Sequence, residues 1–272
     1  MNLRKLAIVL AMALVPYAAQ AAFKPGAPTV LITGANRGIG LELARQYAAK
    51  DWNVIATSRR PADDKGTADL RAIAQKHPNL VIERVDVTDT ALIRAVAAKY
   101  KDQPIDVLIN NAAAVEATFQ ADMDKVSVPY DKIDFDAARN DFDVNTLGPM
   151  RMAQAFMPHI ERSKQKKLVN VTSFIGSFGY GFNSPMGMNY GASKAGLNMY
   201  TFKLHQALKD KGVVVALVEP VLVASKPGVE GNPMAKSLEE EIGKLVKIID
   251  GMTVESAGGK ITNFSTGKID PF

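Results

Sequence analysis

From Pro28 to the end of the chain, short runs rich in β-branched residues alternate with longer amphipathic stretches, and no other feature narrows the possible folds as much. The runs predict strands at Thr29–Thr33, Asn53–Ser58, Leu80–Val87, Val107–Asn110, Lys167–Thr172 and Val213–Val218, with a seventh at Ile261–Ser265. Between them, Gly38–Lys50, Ala68–Lys76, Ala91–Lys101, Ala137–Glu161, Ala192–Lys211 and Ser237–Ile249 carry helical periodicity. Strands too apolar to expose either face, joined by helices of ten residues or more, indicate βαβ units and a parallel sheet covered on both sides. Right-handed crossovers then lead to a doubly wound α/β sheet of about seven strands in one domain. Two stretches are less regular, Val115–Asp134 and the Pro- and Gly-containing Val223–Lys236. Each follows a strand's carboxyl end, where such sheets hold ligands.

The first strand runs straight into Thr33-Gly34-Ala35-Asn36-Arg37-Gly38-Ile39-Gly40, which opens the first helix. Glycines 34, 38 and 40 permit a tight turn and close approach of backbone to a pyrophosphate, and the helix N-terminus offers free N–H groups and partial positive charge. About 20 residues on, an NAD enzyme would place a carboxylate against the ribose hydroxyls. Here Thr57-Ser58-Arg59-Arg60 stands instead. Arginine can clamp a 2′-phosphate bidentately, and Arg37 can approach the same group, so charge complementarity favours NADP(H) over NAD(H). Arg60 reads equally well as a solvated surface charge.

Tyr190-Gly191-Ala192-Ser193-Lys194 begins a helical stretch, and a spacing of four puts the phenol and the ammonium on one helix face. A nearby ammonium stabilises phenolate, so Lys194 is expected to lower the Tyr190 pKa and make it a usable acid/base. Ser173, at the end of the fifth strand, either holds a substrate oxygen near Tyr190 or caps a turn. Asn145 either orders a water bridging to Lys194 or satisfies backbone.

In chain order, the glycine turn, Asn110-Asn111-Ala112-Ala113, Asn145, Ser173 and Tyr190-x-x-x-Lys194 resemble the short-chain dehydrogenase/reductase family over roughly residues 28–270. The resemblance implies a Rossmann domain that moves hydride between NADP(H) and a small-molecule carbonyl or alcohol, with Tyr190 as acid/base. Lys194 would lower its pKa and bind the nicotinamide ribose, Ser173 would position substrate, and Asn145 would hold a proton-relay water. Gly34, Asn36, Arg37, Gly38, Ile39 and Gly40 would line the pyrophosphate, Arg59 the 2′-phosphate, and Asp86 with Val87 the adenine. Asn111 would support the central strand and the cofactor. The segments after Lys194 and around Ile249–Thr253 resemble the C-factor type of carbonyl reductases. Two departures stand out. Val221 follows Pro220 where the family has glycine, and Ser225 occupies the place of a threonine contacting the nicotinamide carboxamide. Ser173 also precedes Tyr190 by an enlarged segment holding Phe178, Tyr180, Phe182, Met186 and Met188, read as packing or as an apolar substrate wall.

The first 21 residues read as a removable export signal. Arg4 and Lys5 precede an apolar run too short to span a bilayer, and Ala19-Gln20-Ala21 has the form of a cleavage site. Residues 22–272 would then be the mature domain, periplasmic or secreted and without a stable membrane anchor, or cytoplasmic if the segment is not functional. Loss of Arg4 and Lys5 lowers the formal charge from +5 to +3, too mild for nucleic acid. With no cysteine and three scattered histidines, neither a disulfide scaffold nor a metal centre is expected. The family's habit suggests a homodimer or homotetramer through the 137–161 and 192–211 helices. The rival readings are an exported dinucleotide- or partner-binding protein with little catalysis, and an isomerase or lyase on the same scaffold.

Overall fold

The computed structural model describes residues 23–61, 66–114, 130–179, 187–224, 233 and 235–271. The export-signal reading and Ser225 therefore lie outside the described residues, as do Tyr180, Phe182 and Met186. The strands are β1 (Thr29–Ile32), β2 (Asn53–Ser58), β3 (Leu80–Arg84), β4 (Val107–Asn110), β5 (Lys167–Val171), β6 (Val214–Glu219), β7 (Ile261–Asn263) and β8 (Ile269–Asp270). They form one sheet in the order β3-β2-β1-β4-β5-β6-β7-β8, parallel throughout except for β8. The eighth strand exceeds the expected seven because Phe264–Gly267 turns the chain back, with Gly267 at φ +68° donating to Asn263 O.

Helices α1 (Gly38–Ala49), α2 (Thr67–Lys76) and α7 (Leu238–Gly251) cover one face. Helices α3 (Thr90–Lys99), α5 (Gly148–Glu161) and α6 (Met188–Leu208) cover the other, preceded by α4 (Phe135–Phe142); a short α8 (Val254–Ala257) follows α7. Alternation of side chains along each strand divides the core cleanly. Val30, Ile32, Val54, Ala56, Val107 and Ile109 meet Leu43, Tyr47 and Leu245 on one side, while Leu31, Ile55 and Leu108 meet Ile93, Met152 and Phe156 on the other. All of these residues are fully buried, which explains why the strands lack a polar face.

The continuous helix expected at Ala137–Glu161 is instead α4, a π-helical turn at Asp143–Leu147, and α5. In the π turn Gly148 N–H reaches Asp143 O, and the widened turn carries Asn145 into the protein. Gly148 itself admits no side chain, since a Cβ there would lie 2.9 Å from Val87 Cγ2.

Buried Lys167 ties β5 to the end of α7, with Nζ donating to Ile249 O and Asp250 O at 2.7 Å each. A cation at a helix C-terminus satisfies otherwise unpaired carbonyls and opposes the helix dipole. Lys167→Met keeps the apolar stem and loses both bonds. It is expected to cost about 2–3 kcal/mol in urea unfolding, from charge-assisted hydrogen bonds of that usual size.

Candidate functional site

The glycine turn is built by interactions between β1 and β4. Thr33 Oγ1 accepts Asn111 N–H and Ala112 N–H at 2.9 and 3.0 Å, and Asn111 Nδ2 donates back to Thr33 O and Gly34 O at 3.0 and 3.1 Å. Gly34 and Gly38 have φ of +65° and +54°. At Gly40 a Cβ would fall 2.3 Å from Gly34 O and 2.5 Å from Asn111 Nδ2, so helix and turn can close only over glycine. Asn111 thus supports the turn itself. Asn36 is half-buried within the turn, and Ile39 packs on the core below it.

Arg37 occupies the N-cap position of α1 but makes no side-chain cap hydrogen bond, and the first helical turn carries no acidic residue. A helix start with free N–H groups and no competing carboxylate fits an anion. Ala35 N–H donates to Thr57 O at 2.8 Å, bringing the turn beside the end of β2, where Arg59 follows. Arg37, Arg59 and Arg60 are all exposed. Asp86 sits half-buried after β3, one oxygen accepting Thr88 N–H and Oγ1–H at 3.0 and 2.7 Å, and Val87 packs against α5 at Gly148. The residues present therefore fit a dinucleotide with a phosphorylated ribose.

Beside this crevice lies the second cluster. Gly187, at φ +63°, starts α6, which brings Tyr190 and Lys194 to the end of β5. The Ser173 hydroxyl hydrogen-bonds the Tyr190 phenol and also accepts Ile175 N–H at 3.4 Å, so it caps its turn while facing the tyrosine. The Phe174–Gly176 turn is pressed onto α6: a Cβ on Gly176 would lie 2.7 Å from Lys194 Cβ, and one on Gly191 2.9 Å from Ile175 Cγ2. Asn198 Nδ2 locks this turn through Gly176 O at 3.0 Å, with its Oδ1 accepting from Thr172.

The expected lowering of the tyrosine pKa is not what this geometry produces. Burial pushes Tyr190 up to about 12, only partly opposed by the Ser173 hydrogen bond, with Asp141 and Glu219 raising it further. The ring keeps some solvent exposure, but its surroundings are dense enough for desolvation to dominate. Lys194, at 2% exposure, is brought down to about 8 by the same desolvation, against the raising effect of Asp141. Its Nζ donates to Val171 O at 2.9 Å and lies 5.6 Å from the Tyr190 ring centroid.

Asn145 holds the chain beyond β4. Its amide accepts Ala114 N–H and donates to Ala114 O, both at 2.8 Å, and donates to Ser193 Oγ at 3.0 Å. The bonds to Ala114 satisfy backbone groups, and the carboxamide braces the β4 loop against α6. Val221, just past β6, is partly exposed, and Phe178 is 94% exposed, which excludes core packing for that side chain.

Two acidic residues were missed in the sequence. Asp141 is buried against α6, and Glu219 is buried at the end of β6, receiving Asn263 Nδ2 at 3.4 Å. The available signals were a carboxylate four residues before Asn145 and another directly before Pro220. A buried chain from Asn110 Nδ2 to Asn170 Oδ1, then Asn170 Nδ2 to Thr201 Oγ1, both at 2.8 Å, also links β4, β5 and α6.

A serine, a tyrosine and a buried lysine at the carboxyl end of a doubly wound sheet that carries a glycine turn fit an oxidoreductase of alcohol and carbonyl groups. The profile of the short chain dehydrogenase family matches residues 28–241. A short-chain dehydrogenase of Pyricularia oryzae is 30% identical over 259 residues, covering 90% of this chain and 98% of its own. The 1-hydroxy-2-glutathionyl-2-methyl-3-butene dehydrogenase of a Rhodococcus species is 30% identical over 235 residues, covering 85% and 94%. Among solved structures, the NADPH-bound carbonyl reductase from chicken fatty liver aligns with a TM-score of 0.77 at 27% identity, over 90% of this chain and 99% of that one. The chain belongs to the short-chain dehydrogenase family, and its reaction interconverts CH–OH and C=O.

Burial and the nearby Asp270 push Glu219 up to about 7. A carboxyl whose folded pKa is raised contributes stability below its unfolded pKa and loses it as pH rises toward the folded value. Wild-type stability is therefore expected to fall relative to Glu219→Gln between roughly pH 4.5 and 7, by up to about 3 kcal/mol, with no difference at lower pH. Parallel urea melts across that range would show it; equal pH slopes would refute it.

Proposed function

We propose that this protein is an NADP(H)-dependent carbonyl reductase or alcohol dehydrogenase in which Tyr190 exchanges the proton at the substrate oxygen. The observation carrying this reading is the Ser173–Tyr190 hydrogen bond, set over buried Lys194 and beside the uncapped start of α1. Bound NADPH supplies a hydride to the substrate carbon, or NADP takes one from it.

This chain's residues do the rest. Ser173 and Tyr190 present two hydroxyls to one substrate oxygen, fixing its position. In reduction Tyr190 donates its proton as charge develops on that oxygen. Lys194, within 6 Å of the ring, favours the phenolate that remains. In oxidation the same groups act in reverse. The first turn of α1 receives pyrophosphate, and Arg37 and Arg59 are free in solvent to meet a 2′-phosphate. The NADPH-bound state of the chicken liver carbonyl reductase supports the same cofactor here.

Replacement of Tyr190 by Phe is expected to lower NADPH-dependent reduction of aldehydes and quinones by about a thousandfold, the size of a lost general acid. NADPH binding, followed by nicotinamide fluorescence, should stay within threefold. Near-normal turnover would refute the assignment. For cofactor choice, Arg59→Glu should weaken NADPH by roughly ten- to a hundredfold and leave NADH nearly unchanged, since only the 2′-phosphate contact is lost. Equal loss with both cofactors would refute the phosphate clamp.

A further inference from the structure

Helix α4 is patterned inside out. Phe135 is 69% exposed and Phe142 40% exposed, while the one buried residue among its eight is a carboxylate, Asp141, at 2%. An amphipathic helix ordinarily buries its aromatics and leaves aspartate in water. A carboxylate removed from water is retained at a cost in stability unless a cation compensates it.

Helix α4 packs against α6, its buried residue is Asp141, and the buried cation on α6 is Lys194. Helix packing is close here, since a Cβ on Gly196 would lie 3.1 Å from Thr146 Cγ2 and 3.5 Å from the Phe142 ring. The Lys194 ammonium donates to a neutral carbonyl, Val171 O. Among the described residues Asp141 is the carboxylate that acts on Lys194. It also acts on Tyr190, together with Glu219 from β6, whose own charge is coupled to Asp270 on β8. Ser173 faces the phenol from the end of β5 and carries no charge. Asp143, the neighbouring carboxylate, points elsewhere and pairs with Arg151 at 2.6 Å.

We propose that Asp141 is a positioning residue for the tyrosine–lysine pair: its carboxylate, delivered into the α4–α6 contact, holds Lys194 as a buried cation and sets the pH range over which Tyr190 exchanges its proton. The inference rests on the reading of Tyr190 as acid/base. Negative charge at 141 favours the protonated form of both partners, so its removal moves both titrations toward acid.

The test compares Asp141→Asn with Asp141→Glu in otherwise unaltered protein. In the Asn variant the alkaline limb of kcat/KM for NADPH-dependent carbonyl reduction, and the acid limb for alcohol oxidation, should both move down by about one pH unit, the shift expected from losing a close opposite charge. The Glu variant should return them toward wild type. A second readout needs no turnover: the tyrosinate absorbance step that disappears with Tyr190→Phe should have a lower midpoint in the Asn background. If wild type fails to reduce any carbonyl with NADPH, the Tyr190 reading falls, yet the absorbance step still decides the role of Asp141. Unmoved limbs and an unmoved tyrosinate step in folded Asp141→Asn would overturn the proposal. Should that variant fold poorly, Asp141→Asn combined with Lys194→Met should recover thermal stability over either single change, and additive losses would overturn it equally.

Discussion

The crevice between β1 and β4 exists because the chain leaves these adjacent parallel strands in opposite directions. From β1 it passes toward β2 and β3; from β4 it passes toward β5 and β6. Two loops that diverge at a switch point leave a gap that the sheet cannot close, and ligands of such sheets occupy it. In this protein the gap is held at fixed width by Thr33 and Asn111, whose side chains bond reciprocally across it. The absence of space at Gly40 follows from that closeness, while Ala114 is braced separately by Asn145. The glycine turn is thus a by-product of strand order, stabilised by a few polar side chains.

Desolvation is the second organising force. The sheet is buried on both faces, and α6 brings a phenol and an ammonium to its edge, where burial raises one pKa and lowers the other. From ordinary values near 10 the two move apart, the phenol to about 12 and the ammonium to about 8, so at neutral pH the phenol holds its proton. Buried carboxylates on α4 and β6 push the phenol further up and the Ser173 hydrogen bond draws it down, so acidity in this site is a balance among several elements and not a property of the tyrosine–lysine spacing. Burial of this kind is tolerated because the polar groups of β4, β5 and α6 satisfy one another, as in the Asn110–Asn170–Thr201 chain.

Much of the architecture was legible because it depends on short-range patterns. Continuous β-branched, apolar runs marked β2 and β4 to the residue, and the helical stretches at α1 and α2 were placed within one residue at either end. The illegible parts have specific causes. Asp143–Leu147 has ordinary helical composition, and the π turn arises from fitting α5 against Val87 while Asn145 reaches Ala114 and Ser193. Strand β8 is two residues long and depends on pairing with β7, so its own sequence carries little signal. Asp141 in a weakly apolar helix reads as a solvent-facing charge until its neighbours across α6 are known.

By itself the sequence determined the alternating layers, the glycine turn that opens α1, and the four-residue separation that puts Tyr190 and Lys194 on one helix face. These rest on backbone sterics and on periodicity, which act over a few residues. Only the tertiary structure decided that Ser173 both caps its turn and bonds the phenol, that the Asn145 amide braces a loop, and that two buried carboxylates share the neighbourhood of Tyr190. Those outcomes depend on which distant groups exclude water from one another. Desolvation and Coulomb interaction act through space and leave no mark on local spacing.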